Sequence, residues 1–79
     1  MRVTVLVRPK EGILDPQGEA VETALEHLGF AVSVARVGKV VDLEVDAADE
    51  AEARTKVEQM CERLLANPLI ESYEIELHG

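Results

Sequence analysis

The feature that most limits the fold of this 79-residue chain is the spacing of its hydrophobic residues, which changes several times along the sequence. Four segments have the alternation or composition of β-strands, namely 2–8, 30–37, 40–46 and 72–77. Between the first and second, and between the third and fourth, apolar residues instead recur every three or four positions, as in amphipathic helices. The sequence therefore predicts the element order βαββαβ.

Local signals set the limits of the two helices. Asp15-Pro16 predicts the start of the first, with Asp15 as its cap, and Gly29 predicts its end. Asp49 is expected to cap the second, which Asn67-Pro68 ends. The first helix is predicted to bury Ala20, Val21, Ala24, Leu25 and Leu28. The second is predicted to bury Ala53, Val57, Met60, Cys61 and Leu64.

The element order favours an α+β, ferredoxin-like two-layer sandwich. Right-handed crossovers would give a four-stranded antiparallel sheet in the order 4-1-3-2, with two helices on one face. Gly38-Lys39 is predicted to form a hairpin turn between the second and third strands. The second strand would then lie at an edge, yet residues 30–35 carry no charge to discourage pairing with another chain. A homo-oligomer is therefore expected, with Phe30, Val32 and Val34 as its candidate edge.

Composition excludes several classes of protein. The net charge is −8, and residues 41–79 hold eleven acids against three bases, which disfavours nucleic acid as a partner. With one cysteine there is no internal disulfide, and no apolar run is long enough to span a membrane. A small domain of this size buries only about 60% of its unfolded surface, so association is a natural source of stability. A cytoplasmic protein is expected.

The predicted topology gathers basic side chains and loops at one end, near the positive end of the first helix dipole. Gly18 is notable because a glycine in a first helical turn costs about 1 kcal/mol relative to alanine. It belongs either to an ordinary capped helix start or to a place where another group, an anion or a partner, approaches the helix-end amides closely. The candidate partner-docking residues are Arg8, Lys10, Gly12, Asp15, Gln17, Gly18, Arg36, Lys39 and Asn67.

The residues offer little for catalysis. Cys61 is the one thiol, and its place on an apolar helical stripe indicates core packing rather than a nucleophile. His27 and His78, the latter expected in a C-terminal tail, are interpreted as solvated surface. No metal-ligand spacing and no GxxxxGK[ST] phosphate loop is present.

Four blocks of sequence resemble the PurS family. They are Pro9-Lys10-x-Gly12-x-x-Asp15-Pro16-Gln17-Gly18, then Leu28-Gly29-Phe30, then Arg36-Val37-Gly38-Lys39, and finally Cys61-x-x-Leu64-Leu65-Ala66-Asn67-Pro68-x-Ile70-Glu71-x-Tyr73. They occur in the family's order and span essentially the whole chain. The resemblance implies a single domain over residues 1–79, the small subunit of phosphoribosylformylglycinamidine (FGAM) synthase in purine biosynthesis.

The resemblance also implies the partners. A glutaminase subunit, PurQ, releases ammonia from glutamine, and a synthetase subunit, PurL, uses ATP and magnesium to convert formylglycinamide ribonucleotide to its amidine. The small subunit would join them without a cofactor or catalytic residues of its own. The main alternative is a ligand-binding regulatory domain of the same βαββαβ order. A metal carrier lacks its Cys-x-x-Cys loop here, and an RNA-binding sheet lacks exposed aromatics.

Overall fold

The computed structural model describes residues 1–78, and Gly79, the last position of the predicted domain, lies outside the described residues. The chain forms strand β1 (Arg2–Pro9), helix α1 (Pro16–His27), strand β2 (Lys39–Glu44), helix α2 (Glu50–Met60) and strand β3 (Glu71–His78). A π-helical turn, Cys61–Leu65, continues α2. The predicted α+β class is therefore confirmed, while residues 1–78 contain three strands rather than four.

The three strands form one antiparallel sheet in the order β2-β1-β3. This order agrees with the predicted positions of the first, third and fourth strands. The odd-numbered valines of β1, which are Val3, Val5 and Val7, are at most 1% exposed and form the middle of the core. Val5 lies opposite Val41 on one side and Ile75 on the other, so all three strands turn apolar side chains to the same face.

Helix α2 covers part of that face. Asp49 caps it as predicted, because its Oδ1 accepts a hydrogen bond of 2.8 Å from the amide of Glu52. Ala53, Val57 and Cys61 are fully buried against the strands. The other two residues predicted for this stripe, Met60 and Leu64, are exposed.

The π-helical turn explains the exposure of Leu64. The amide of Ala66 bonds to the carbonyl of Cys61, five residues earlier, at 3.0 Å. The wider turn breaks the α-helical spacing on which the predicted stripe depends, because a π-turn takes more residues per turn than an α-helix. As a result Leu64 is 81% exposed, although its spacing from Val57 and Cys61 predicts burial.

The segment of residues 16–38, called the arm here, extends away from the sheet. Helix α1 makes no substantial contact with the strands or with α2. The molecule measures 50 × 25 × 14 Å, and its radius of gyration is 15.7 Å, whereas a compact chain of this length would have about 12 Å. The prediction that both helices pack on one face is therefore wrong for the single chain.

Hydrogen bonds explain why residues 30–37 are not a strand of this sheet. Asp15 Oδ2 accepts from the amide of Val37 at 2.7 Å, and Glu22 Oε1 accepts from the amide of Ala35 at 2.8 Å. These carboxylates hold the segment along α1, so it runs back beside the helix and not beside β2. Gly38-Lys39 is then a junction between the arm and β2, and the predicted hairpin is wrong.

The sheet face that points away from α2 is polar. Thr4 donates a hydrogen bond to Asp42 at 2.9 Å, and Arg8 forms an ion pair with Glu74 at 3.2 Å, so polar side chains pair across neighbouring strands. His78 lies within β3, and its Nε2 is 2.9 Å from Thr4 Oγ1. The expectation that His78 belongs to a solvated tail is therefore wrong, because the last strand is longer than predicted.

Candidate docking surface at the base of the arm

Three basic side chains lie where the arm joins the sheet. Arg8, Arg36 and Lys39, together called the basic cleft, line a depression of about 200 Å³ beside Gly38. All three are exposed. Only Arg8 is in an ion pair, with Glu74, and both side chains of that pair remain more than half exposed. Sequence reasoning thus identified residues that the fold brings together, and their role in docking stays a prediction.

Lys10 and Asn67 belong to a neighbouring pair of loops. The Lys10 Nζ donates to the carbonyl of Pro68 at 2.6 Å, and its backbone amide donates to the carbonyl of Ile70 at 2.9 Å. Asn67 organises the same loop, because its Oδ1 accepts from the amide of Leu69 at 3.2 Å. The ammonium of Lys10 therefore ties the strand exit to the loop before β3.

Asp15 has the predicted position, but its side chain has a different hydrogen-bond partner. It occupies the N-cap position, and Pro16 begins the helix as expected, but the side chain makes no capping hydrogen bond. Its acceptance of the Val37 amide lowers the pKa of this carboxyl, and the nearby Gly18 and Gln17 amides and the charge of Arg36 act in the same direction. Asp15 thus fixes the returning segment to the base of α1.

The group that lies close to Gly18 belongs to this chain. Gly18 is buried, and a Cβ built at this residue would overlap the carbonyl oxygen of Ala35. The group that approaches α1 closely is therefore the arm's own backbone. The expectation that the site is open to an anion or a partner is wrong, because Ala35 already occupies the space.

The other two candidate residues, Gly12 and Gln17, are exposed. Gly12 has a φ of 80°, which favours glycine, and it lies in the turn closed by the Ile13 amide and the Lys10 carbonyl at 3.2 Å. A depression of about 570 Å³ extends between this turn and the arm. The carboxylates of Asp15, Glu19 and Glu22 line it, which disfavours a nucleotide or another anionic ligand there.

The arm exposes apolar side chains that a single chain leaves uncovered. Phe30 is 60% exposed and Val34 is 69% exposed, while Val32 is half-buried. On α1, Val21 and Leu28 of the predicted buried stripe are also exposed. Periodicity therefore identified an apolar face correctly, but nothing in this chain covers it.

Sequence reasoning missed two features, one on the loops near the base of the arm and one between β3 and the π-helical turn. Leu14, on the loop before α1, and Leu69, on the loop before β3, are exposed apolar residues. Tyr73 donates a hydrogen bond to Glu62 Oε1 at 2.9 Å, and this bond raises the pKa of the tyrosine. Loop residues carry no periodicity, and the Tyr73 contact depends on the π-helical turn, so neither had a clear sequence signal.

The chemistry of the described residues is limited. Cys61 is buried in the core as predicted, and burial raises the pKa of its thiol. In residues 1–78, no group of three or more His, Cys, Asp or Glu side chains is placed to hold a metal ion. None of the helices in that part of the chain has the length and apolar character needed to cross a membrane.

Comparison with known protein families gives one match over residues 2–79, to the family model described as PurS, phosphoribosylformylglycinamidine (FGAM) synthase. The chain is 42% identical over 77 residues to subunit PurS of this synthase from Bacillus subtilis, covering 96% of this chain and 90% of that protein. It is 38% identical over 77 residues to the subunit from Methanocaldococcus jannaschii, covering 96% and 93%.

Solved structures match the whole shape, including the arm. The chain superposes on B. subtilis PurS with a TM-score of 0.88 and 40% identity, covering 99% of this chain and 98% of that one. It also superposes on a chain of the structure described as PurLQS from Thermotoga maritima with a TM-score of 0.85 and 37% identity, covering 95% and 93%. The extended arm is therefore a shape that solved relatives share.

Proposed function

Because this chain belongs to the PurS family and is a subunit of FGAM synthase, a ligase complex of purine biosynthesis, we propose that it bridges the other two subunits and performs no chemistry itself. In this proposal PurQ, the glutaminase, releases ammonia from glutamine. PurL, the synthetase, uses ATP, with magnesium, to convert formylglycinamide ribonucleotide to FGAM. The small subunit keeps the two active sites in register, so that ammonia is transferred before it escapes or is protonated.

The observation that carries the proposal is the elongated protomer. An arm extends from a small sheet, and the chain is 50 Å long, which gives it two separated surfaces for partners. Its T. maritima relative comes from a structure described as PurLQS. A protein of this shape suits a connecting role, whereas the described residues form no enclosed ligand cavity that would favour the alternative of a regulatory domain.

Charge supports one of these surfaces as a docking site. The basic cleft lies in a chain with a net charge of −8, so its positive side chains contrast with an otherwise acidic surface. Complementary charge increases association rates and selects partners more than it sets affinity. In this proposal an acidic patch of one partner subunit contacts Arg8, Arg36 and Lys39, and the exposed Leu14 and Leu69 supply apolar contact beside them.

Self-association is part of the proposal. The uncovered apolar residues of the arm, among them Phe30 and Val34, are the surface that a second copy would bury. A homodimer, or a tetramer made from two such dimers, would also present two docking surfaces. The complex is expected to act in the cytoplasm with its nucleotide substrates. ATP and magnesium are expected to bind the synthetase subunit and not this chain.

Reconstitution tests the bridging role. The chain is mixed with PurQ and PurL, and FGAM formation is measured with glutamine and, separately, with an ammonium salt as the nitrogen source. We expect glutamine-dependent activity to require this chain, while ammonium-dependent activity of PurL requires it far less. Full glutamine-dependent activity without the chain would refute the bridging role.

A charge-reversal pair tests the docking surface. Arg36→Glu with Lys39→Glu is expected to weaken complex assembly about tenfold, because like charges then face the partner. The matched control is Arg54→Glu with Arg63→Glu, which makes the same change in net charge on the exposed side of the second helix region. Light scattering of each isolated variant checks that its own oligomeric state is unchanged. Equal assembly by both variants would exclude the basic cleft as the docking site.

A further inference from the structure

The sheet has a free edge along β3. The amide of Lys10 donates to the carbonyl of Ile70 at 2.9 Å, which continues the β1–β3 pairing and sets its phase. Because hydrogen-bonded pairs alternate along an antiparallel ladder, the even residues of β3 bond to β1. The amides and carbonyls of Tyr73, Ile75 and Leu77 therefore point outward, and within residues 1–78 no strand pairs with them.

A depression borders this edge on the core face. On one flank of α2, Lys56 donates to the carbonyl of Asp46, beyond the end of β2, at 2.7 Å. On the other flank, the hydrogen bond from Tyr73 to Glu62 holds the π-helical turn above β3. The depression lies on this second flank and has a volume of about 330 Å³. It is lined by Thr55, Glu58, Gln59, Glu62, Arg63 and Tyr73.

Four carboxylates lie on the two sides of the edge. On the polar face of β3 they are those of Glu74 and Glu76, and at the depression they are those of Glu58 and Glu62. Each side has one base, because Arg8 pairs with Glu74 and Arg63 lines the depression. Two acids on each side thus face one base, so the edge favours a positively charged partner.

The same charges disfavour a second copy of this chain at this edge. The outward residues of β3 are odd, so two β3 edges paired antiparallel about Ile75 would place Glu74 of each copy opposite Glu76 of the other. Like charges directly opposite each other destabilise a strand pair. The occupant of this edge therefore differs from this chain and has the opposite charge.

We propose that the free edge of β3 binds an extended, basic segment of one partner subunit, which adds a strand to the sheet. Lysine or arginine side chains of that segment contact Glu74 and Glu76 on the polar face, and one enters the depression beside Glu58 and Glu62. This inference rests on the bridging function proposed above and supplies a second docking surface for it.

The two docking surfaces differ in place and in charge. The basic cleft includes Lys39 of β2, whereas β3 is at the opposite edge of the sheet. An acidic patch suits the first surface and a basic segment suits the second. In strand addition, backbone hydrogen bonds give affinity and the side chains beside the edge select the segment. Two different subunits would therefore bind this chain without competing for one surface.

Hydrogen exchange in the assembled complex tests strand addition. The chain is labelled in deuterated water alone and with PurQ and PurL, and the exchange of single amides is read by fragmentation mass spectrometry. The amides of Tyr73, Ile75 and Leu77 are expected to exchange at least about tenfold more slowly in the complex, because strand pairing protects them. The amides of Glu74 and Glu76 bond to β1 and are the internal control, expected to exchange slowly in both samples.

Three results would overturn the proposal. If the complex forms and has glutamine-dependent activity while the odd amides of β3 exchange as fast as in the chain alone, the bridging function stands but no strand is added. If these amides are protected in the chain alone, a second copy occupies the edge. If no complex forms, the bridging function fails and this docking surface fails with it.

Charge reversal tests the chemistry of the occupant. Glu58→Lys with Glu76→Lys changes one carboxylate on each side of the edge, and neither side chain is in an ion pair within residues 1–78. Complex assembly is expected to weaken about tenfold, because like charges then meet the basic segment. The matched control is Glu44→Lys with Glu50→Lys, which makes the same change in net charge at exposed positions of β2 and α2. Light scattering checks that each isolated variant keeps its oligomeric state. Equal assembly by both variants would exclude a basic segment as the occupant.

Discussion

The body of the molecule and its arm use similar apolar residues with opposite results. In the body, which comprises the sheet, α2 and the π-helical turn, valines at every second position of β1 are completely buried. In the arm, Phe30 and Val34 belong to an equally regular pattern and stay exposed. The spacing of apolar residues therefore shows which face of a helix or strand is apolar. Which part of the molecule covers that face depends on how the chain connects its elements.

The largest contrast is expected from one substitution made in each region. Val5→Asp places an unpaired charge in the core and is expected to cost about 4 kcal/mol or more, which is enough to prevent cooperative folding of a small domain. Val34→Asp is expected to leave each chain folded and to weaken self-association about a hundredfold, because the same charge would lie in an interface. Circular dichroism measures the first effect and sedimentation velocity the second. A folded, fully dimeric Val34→Asp protein would contradict the assignment of the arm to an interface.

The arm's own packing gives the next largest effect. Gly18→Ala forces a Cβ against the Ala35 carbonyl, and it is expected to cost about 1–3 kcal/mol as an overpacking change. The neighbouring Gln17→Ala, at an exposed position, is expected to stay within about 0.5 kcal/mol of wild type. Thermal unfolding compares the two. Equal stabilities would show that the returning segment does not pack on α1 as described.

The arm and the body should also respond to low pH through different carboxylates. Hydrogen bonding to Val37 lowers the pKa of Asp15, and the Lys56 bond lowers that of Glu52 in α2. A lowered folded-state pKa gives stability that is present above the unfolded value, near 4, and is lost as the pH falls through the folded value. Asp15→Asn should remove the acid sensitivity of the Val37 amide, and Glu52→Gln should not. NMR titration of that amide from pH 6 to pH 2 distinguishes the two, and an unchanged titration in Asp15→Asn would contradict the assignment.

The smallest effect is expected on the open sheet face. The ion pair between Arg8 and Glu74 joins two side chains that are both more than half exposed, so solvent screens it. Glu74→Gln is expected to change stability by less than about 1 kcal/mol. A double-mutant cycle with Arg8→Gln measures the coupling. A much larger coupling would mean that this face is buried in the assembled protein.

Much of the body follows from the sequence. The alternating valines of β1 and the Asp49 cap are local signals, and the order of the three strands follows from the handedness of crossovers. The exposed Leu64 does not follow, because a π-helical turn has no marker in the spacing of apolar residues. Likewise, the strand predicted at 30–37 has the right composition, but Asp15 and Glu22 take its amides.

The candidate site shows the same limit. The sequence groups the basic residues Arg8, Arg36 and Lys39 correctly because β1 and β2 are neighbours as predicted, although the hairpin expected at Gly38-Lys39 does not form. Gly18 permits a close approach, as its position in the sequence indicates, but the approaching group is Ala35 of the same chain. A sequence can show that a glycine permits close approach, but the group that approaches is known only from tertiary structure.

Hydrogen exchange along the arm tests its assignment as the self-association surface most directly. If a second copy covers Phe30 and Val34, the amides around them will exchange more slowly at concentrations where light scattering shows a dimer than after dilution to monomer. If these amides exchange at the same rate in the dimer and the monomer, the arm is not the surface that a second copy buries, and the account is contradicted.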